Sequence, residues 1–191
     1  MNLDITTERL DLTPLSEADV VLWVALRTSP EVMKYIAPPR SEEYLRDMLP
    51  ERCQRAGGGA IGFWKIIERS TGNGIGTGLL LPLPVEDEDT NWSALGKEAY
   101  PEEEIEVGYN FLPAAWGKGY ATEAARALLE FAFTRSELET IVAVTYPENH
   151  ASQNVLRKAG MRDVGLRRAY GMDLPGFEVT KADWQARRRA S

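Results

Sequence analysis

The chain has 191 residues, 43% of them hydrophobic and 27% charged, enough for one domain with a substantial core and too few for two comfortable ones. A formal net charge of −7 argues against nucleic acid as a direct ligand of the whole surface, and no run of about 18 apolar residues exists to span a membrane. The opening Met1-Asn2-Leu3-Asp4 lacks the basic and apolar regions of a secretory signal, and one cysteine, Cys53, excludes an internal disulfide, fits a reducing cytoplasm and, with the single His150, argues against a zinc site.

Leu3 to Leu15 opens as a strand, with Leu10, Leu12 and Pro14 alternating with Arg9, Asp11 and Thr13. Ser16 with Asp19 is a capping-box-like start for a helix through Val20, Val24 and Arg27. Ser41 can cap a second helix with Tyr44, Leu45, Met48 and Leu49 on its apolar face, which Pro50 kinks or ends. Ala60–Ile67 and Ile75–Leu81 read as strands around Gly72-Asn73-Gly74, a hairpin signal. An irregular acidic insertion follows at about 84–104. Ile105–Phe111 alternates as a half-buried strand, and Ala121, Ala124, Ala125, Leu128, Leu129 and Ala132 form the stripe of a third long helix. Ile141–Thr145 is a short strand. Ala151, Val155, Leu156 and Ala159 mark a further helix stopped by Gly160. Val164–Tyr170 and Phe177–Thr180 read as a closing β pair around Pro175-Gly176, and Arg187-Arg188-Arg189 as a solvated tail. The order predicts a mixed α/β sheet in a single domain over 1–191.

Between the alternating strand and the third long helix lies Trp116-Gly117-Lys118-Gly119-Tyr120-Ala121-Thr122-Glu123. Such a loop aims several backbone N–H groups at one point, where the helix dipole is positive, and so makes an anion cradle suited to a pyrophosphate. Gly117 and Gly119 lack Cβ atoms, so phosphate oxygens can approach the backbone and positive φ is tolerated. The loop is neither G-x-G-x-x-G nor a P-loop. By spacing alone it reads equally as a simple turn.

Charge is unevenly spread. Glu86 to Glu106 holds nine of the 29 acids but one of the 22 bases, Lys97. That stretch is either a solvated loop or an electrostatic collar that draws in a cationic acceptor.

Four motifs recur in a recognisable order: Glu106-Val107-Gly108-Tyr109, the glycine loop 116–123, Pro147-Glu148-Asn149-His150-Ala151-Ser152, and Ala159-Gly160-Met161. Together they resemble the GNAT superfamily of acyl-CoA-dependent N-acyltransferases, and within it the ribosomal-protein alanine/serine N-acetyltransferase subgroup, whose first strand Thr7-Glu8-Arg9-Leu10 also resembles. The resemblance covers Thr6 to about Trp184. It implies a mixed, mostly antiparallel sheet of about seven strands, flanked by about four helices and splayed around the pantetheine arm of acetyl-CoA. Tyr109, Asn110 and Phe111 would offer main-chain groups to that arm. The loop Trp116, Gly117, Lys118, Gly119, Tyr120, Ala121 and Thr122 would hold the pyrophosphate. Trp116 stands where the superfamily usually has Gln or Arg, which removes one side-chain donor. Asn149 would bond the pantetheine arm; it also suits a helix N-cap. Ser152 would lie near the sulfur, or is an ordinary first-turn serine.

Acetyl transfer to an amine needs a base, a polarised carbonyl and an assisted leaving thiolate. The resemblance places Glu106 as base, with Glu104 as runner-up on the same face. Many relatives carry a tyrosine as general acid where this chain has Leu156, so Ser152, a water or unaided departure must replace it. Tyr35 and Trp64 are candidate acceptor-pocket residues that also read as core aromatics, and Arg157, Lys158 and Arg162 are candidates for the 3′-phosphate. The expected function is therefore metal-free transfer of an acetyl group from acetyl-CoA to a small amine or a protein N-terminus, by direct attack in a ternary complex. The expected protein is cytoplasmic, a monomer or homodimer, and binds no nucleic acid directly. A non-catalytic acyl-CoA sensor is the alternative, for which Leu156 speaks.

Overall fold

Most predicted strands form, but the single strand expected over Leu3–Leu15 is broken at residues 7–9 into two short strands that pair with each other, and pairing follows chain order almost throughout. In the computed structural model, which describes residues 2–190, β1 (Ile5–Thr6), β2 (Leu10–Pro14), β3 (Gly62–Glu68), β4 (Asn73–Pro82) and β5 (Ile105–Phe111) run antiparallel. β6 (Thr140–Val144) then joins β5 in parallel, and β7 (Arg162–Ala169) and β8 (Met172–Thr180) close the order β1-β2-β3-β4-β5-β6-β8-β7. Met1 and Ser191, the ends of the expected single domain and the first residue of the expected leaderless start, lie outside the described residues.

Among the described residues, six helices accompany this sheet: α1 (Val20–Thr28), α2 (Pro30–Met33), α3 (Glu42–Arg52), α4 (Tyr120–Arg135), α5 (His150–Ala159) and α6 (Lys181–Ala190). The counts thus exceed the expected seven strands and four helices. Ser16 N–H donates to Asp19 at 3.0 Å and Ser41 Oγ accepts from Tyr44 N–H at 3.3 Å, so the predicted caps form. Pro50 sits inside α3, which runs on to Arg52. α6 is the largest correction. Arg187-Arg188-Arg189 forms its last turn rather than a tail, because Trp184 packs on Phe133 at 5.6 Å and Arg188 pairs with Glu130 at 2.7 Å. No helix among the described residues is long and apolar enough to cross a membrane.

The closing hairpin also differs. Its turn is Tyr170-Gly171, with φ of 53° and 69°, the doubly positive backbone of a tight hairpin. Pro175 and Gly176 lie inside β8 instead, paired with Leu166 and Val144. Proline is tolerated there because its main chain faces β6 just past that strand's last residue: Pro175 O accepts from Thr145 N–H at 3.2 Å, and the missing N–H falls beyond the end of the β6 ladder.

Directly opposed residues share a sheet face, so register sorts the core. Trp64, Ile66, Leu80 and Val107 face α4, whose Ala124, Ala125, Leu128 and Phe131 are buried against them. Gly78 permits this approach, since a Cβ there would meet Leu128 at 2.8 Å. Phe63, Leu79 and Leu81 lie on the other face with Glu106, beneath α1, α3 and Trp92. The segment 83–104 is irregular apart from one short turn, Trp92–Ala94.

Candidate active site

The sheet opens at β5. Only Ile105 and Glu106 pair with β6, opposite Ile141 and Val142, and the five residues that follow pair with β4 alone. An antiparallel ladder bonds alternate residues to one neighbour. Leu83 N–H bonds Glu104 O at 2.8 Å and Leu112 N–H bonds Ile75 O at 2.9 Å, so even-numbered residues turn their main chain to β4. The main-chain groups of Val107, Tyr109 and Phe111 therefore point into the gap. Asn110 does not: it lies in register with Thr77, and its side-chain oxygen accepts from Thr77 Oγ1 at 2.7 Å. Its expected main-chain contact with a cofactor is corrected accordingly. Phe111 offers less than expected, because its carbonyl accepts the Trp116 indole N–H at 2.8 Å.

Glu106 stands at the point of opening. It is buried, 8% exposed, with Leu81 opposite it on β4 and Val142 on β6. Burial pushes its carboxyl from 4.5 up to about 7, against the pull of a hydrogen bond from the Tyr170 hydroxyl, while the charge of Asp89 pushes the same way as burial. A carboxylate so poised can accept a proton near neutral pH.

The glycine loop has the geometry the motif predicts. Gly117 and Gly119 sit at φ of 73° and 80°. A Cβ at Gly117 would meet nothing within 4 Å, and one at Gly119 only Arg9 at 3.5 Å, so the concave side is open. No side chain caps α4, and the N–H groups of its first turn have no partner within the helix. Arg9 braces the loop from behind: its guanidinium donates to Lys118 O at 2.9 Å and pairs with Glu123 at 2.6 Å. The Tyr120 hydroxyl is already engaged, donating to Glu68 at 2.5 Å. Ala121 and Thr122 occupy the same first turn, and Lys118 is exposed.

On the α4 side of the gap, Asn149 caps α5, its Oδ1 accepting from Ser152 N–H at 3.1 Å. The Ser152 hydroxyl lies 3.1 Å from the Tyr109 hydroxyl. Burial pushes the Tyr109 hydroxyl above its ordinary range. Leu156 is 1% exposed and supplies core packing. Side chains of Glu106 and Tyr109 leave β5 on opposite faces, so a group in the gap would have the carboxylate on one side and the two hydroxyls on the other.

Other candidates are placed elsewhere. Trp64 is fully buried and donates its indole N–H to Leu3 O at 2.9 Å; it is a core ring, not a pocket wall. Glu104 precedes β5, is exposed, and pairs with Arg167, which removes it from the gap. Tyr35 is half-buried at the surface, its ring 6.2 Å from that of Tyr146. Arg162 pairs with Glu178 at 2.7 Å and Arg157 with Asp163 at 3.4 Å, while Lys158 accepts at its carbonyl from Arg126. Burial pushes the Cys53 thiol up to about 11, unsuited to a nucleophile. Among the described residues no group of three His, Cys, Asp or Glu side chains could hold a metal ion.

The acidic segment is partly tied down: Glu86 pairs with Arg168 at 2.7 Å, Glu104 with Arg167, and Asp89 with Arg52. It is less an open collar than a strap along β7. Tyr170, Val107 and Arg9 were missed. Ladder alternation along β5 could have indicated Val107, but nothing local in the sequence links Tyr170 to Glu106, 64 positions away.

A splayed sheet, an uncapped glycine-lipped helix and a poised carboxylate define an acyl-CoA-dependent acyltransferase, and sequence comparison agrees. The family described as an acetyltransferase (GNAT) domain matches residues 9–162. The chain belongs to the GNAT acetyltransferase family, and it is an acetyl-CoA-dependent acetyltransferase. It is 30% identical over 166 residues to the uncharacterized N-acetyltransferase p20 of Bacillus licheniformis, covering 86% of this chain and 85% of p20. Among solved structures it is similar in fold to AAC(6')-Ib in complex with paromomycin and acetyl-CoA, with a TM-score of 0.73, 15% identity, and 95% of this chain and 98% of that one covered. It is also similar to the ribosomal-protein-S5-alanine acetyltransferase of Vibrio fischeri, with a TM-score of 0.72, 17% identity, and 96% and 99% coverage.

Proposed function

We propose that this single-domain enzyme moves the acetyl group of acetyl-CoA to a primary amine, a protein N-terminus or a small amine, by direct attack in a ternary complex. Buried Glu106, poised near 7 where the sheet opens, carries the reading. The two structural neighbours described above, one named for an S5 alanine and one complexed with an aminoglycoside, support an amine acceptor of either kind.

Amides of residues 117–122 grip the pyrophosphate, aided by the positive end of α4. Val107, Tyr109 and the Phe111 N–H pair with the pantetheine arm in the gap, and the side-chain amide of Asn149 adds a donor. Glu106 takes a proton from the acceptor's ammonium. The freed lone pair forms the C–N bond, the C–S bond breaks, and its electron pair leaves on sulfur. Ser152, held by Tyr109, donates a proton to that thiolate in place of the tyrosine absent at Leu156, and it is reprotonated through solvent by the second proton that the attacking nitrogen sheds as it becomes the amide. Tyr35, whose ring lies 6.2 Å from that of Tyr146 in the segment leading into α5, borders the acceptor's approach.

The test is thiol release from acetyl-CoA over a panel of amines and peptides, with Glu106→Gln beside the wild type. The expected outcome is a 10²- to 10⁴-fold drop in kcat/KM with unchanged CoA affinity. Equal turnover by the variant from pH 6 to 9 removes Glu106 from the role.

A further inference from the structure

Tyr170 carries two features that its place in a surface hairpin does not require. It has a positive φ, 53°, among the described residues the only non-glycine one. A bulky side chain is strained there, and such strain persists only where the surroundings enforce it. The enforcement is visible. Tyr170 N–H bonds Pro84 O at 2.9 Å and Gly171 N–H bonds Val85 O at 2.9 Å, which clamps the turn to the start of the acidic segment. The ring packs on a small buried cluster of Leu83, Val142 and Ala169. From there the hydroxyl reaches into the sheet and donates to Oε1 of Glu106.

We propose that Tyr170 is the positioning residue of the catalytic base: the clamped β7–β8 turn drives its hydroxyl onto Oε1 of Glu106, so that Oε2 alone accepts the acceptor's proton. This rests on Glu106 being the base. A bond from a neutral hydroxyl to a buried carboxylate fixes the carboxylate's rotation and favours its charged form. The other charged group acting on Glu106 is Asp89, which opposes ionisation. Glu178, in register beyond Val142, is neutralised by Arg162 and Arg167, and Arg167 also holds Glu104. No cation is in contact with Glu106 among the described residues, so Tyr170 is the group that sustains its charge.

The experiment is the pH profile of kcat/KM for wild type, Tyr170→Phe, Glu106→Gln and the double variant. Phenylalanine keeps the ring and its packing and removes only the hydroxyl. A hydrogen bond to a charged group supports about tenfold or more in equilibrium, so the ascending limb of Tyr170→Phe should move up by about one pH unit. The variant should then be about fivefold slower at pH 7 and about tenfold slower by pH 6, recover toward wild type by pH 9, and bind CoA as before. In the Glu106→Gln background, Tyr170→Phe should change nothing further. A limb that stays in place, or a loss equal at every pH and additive with Glu106→Gln, overturns the proposal. If Glu106→Gln itself retains full turnover, the base assignment fails first, and the outcomes are separable.

Discussion

The burial of Glu106 makes a prediction about stability that is independent of any acceptor. The folded protein keeps the Glu106 proton up to about pH 7, whereas the unfolded chain releases it near the ordinary 4.5. Between those values the folded state binds more protons, so stability falls as pH rises through the window. The span corresponds to about 3 kcal/mol in full, at about 1.4 kcal/mol per pH step. Glu106→Gln carries no such titration, and glutamine can still accept from Tyr170. Urea unfolding of both proteins at pH 5 and pH 8.5 measures the difference. The variant's stability relative to wild type should rise by about 2 to 3 kcal/mol across that interval, even as its activity is lost. Activity of the wild type should climb through the same region, because the carboxylate is the active form. An unchanged stability difference at the two pH values would falsify the view that Glu106 is held in a desolvating site.

Further outcomes follow from the other groups around the gap. Ser152→Ala and Tyr109→Phe should each lower kcat about 10²-fold at unchanged CoA affinity, and the double variant should be no worse than the weaker single one, as for groups acting as a unit. Full additivity in presteady-state rates would separate their roles. Gly119→Ala forces a Cβ into φ of 80°, which costs about 1 to 2 kcal/mol, so calorimetry should show CoA binding weakened about tenfold; unchanged affinity would move the cradle elsewhere. Asp89→Asn leaves the guanidinium of Arg52, 7% exposed, with only Glu51 at 3.9 Å, and should lower unfolding stability by about 1 kcal/mol. If it instead raises only the KM of cationic acceptors, the segment acts as a collar after all.

Much of this site was readable one segment at a time. The loop 116–122 was legible as a glycine turn into a helix because backbone freedom and a helix start are local properties, and both glycines adopt the positive φ that a phosphate cradle would need. Asn149 and Ser152 were legible as the first turn of α5 for the same reason. Asn110 was misassigned because alternation along β5 decides which main chain faces the gap, and that phase becomes visible only once β4 is paired. Trp64 and Tyr35 were indistinguishable as aromatics; packing buried the first and left the second at the surface.

Local rules, then, dictated most of which stretches become strand, helix and glycine turn, since dihedral preference, side-chain period and capping act within a few neighbours. Long-range assembly chose the rest: the parting of β5 from β6, the desolvation that poises Glu106, the strained Tyr170 laid upon it, and the docking of α6 through Trp184. Those outcomes depend on which distant surfaces exclude water together, and chain-local chemistry carries no record of that.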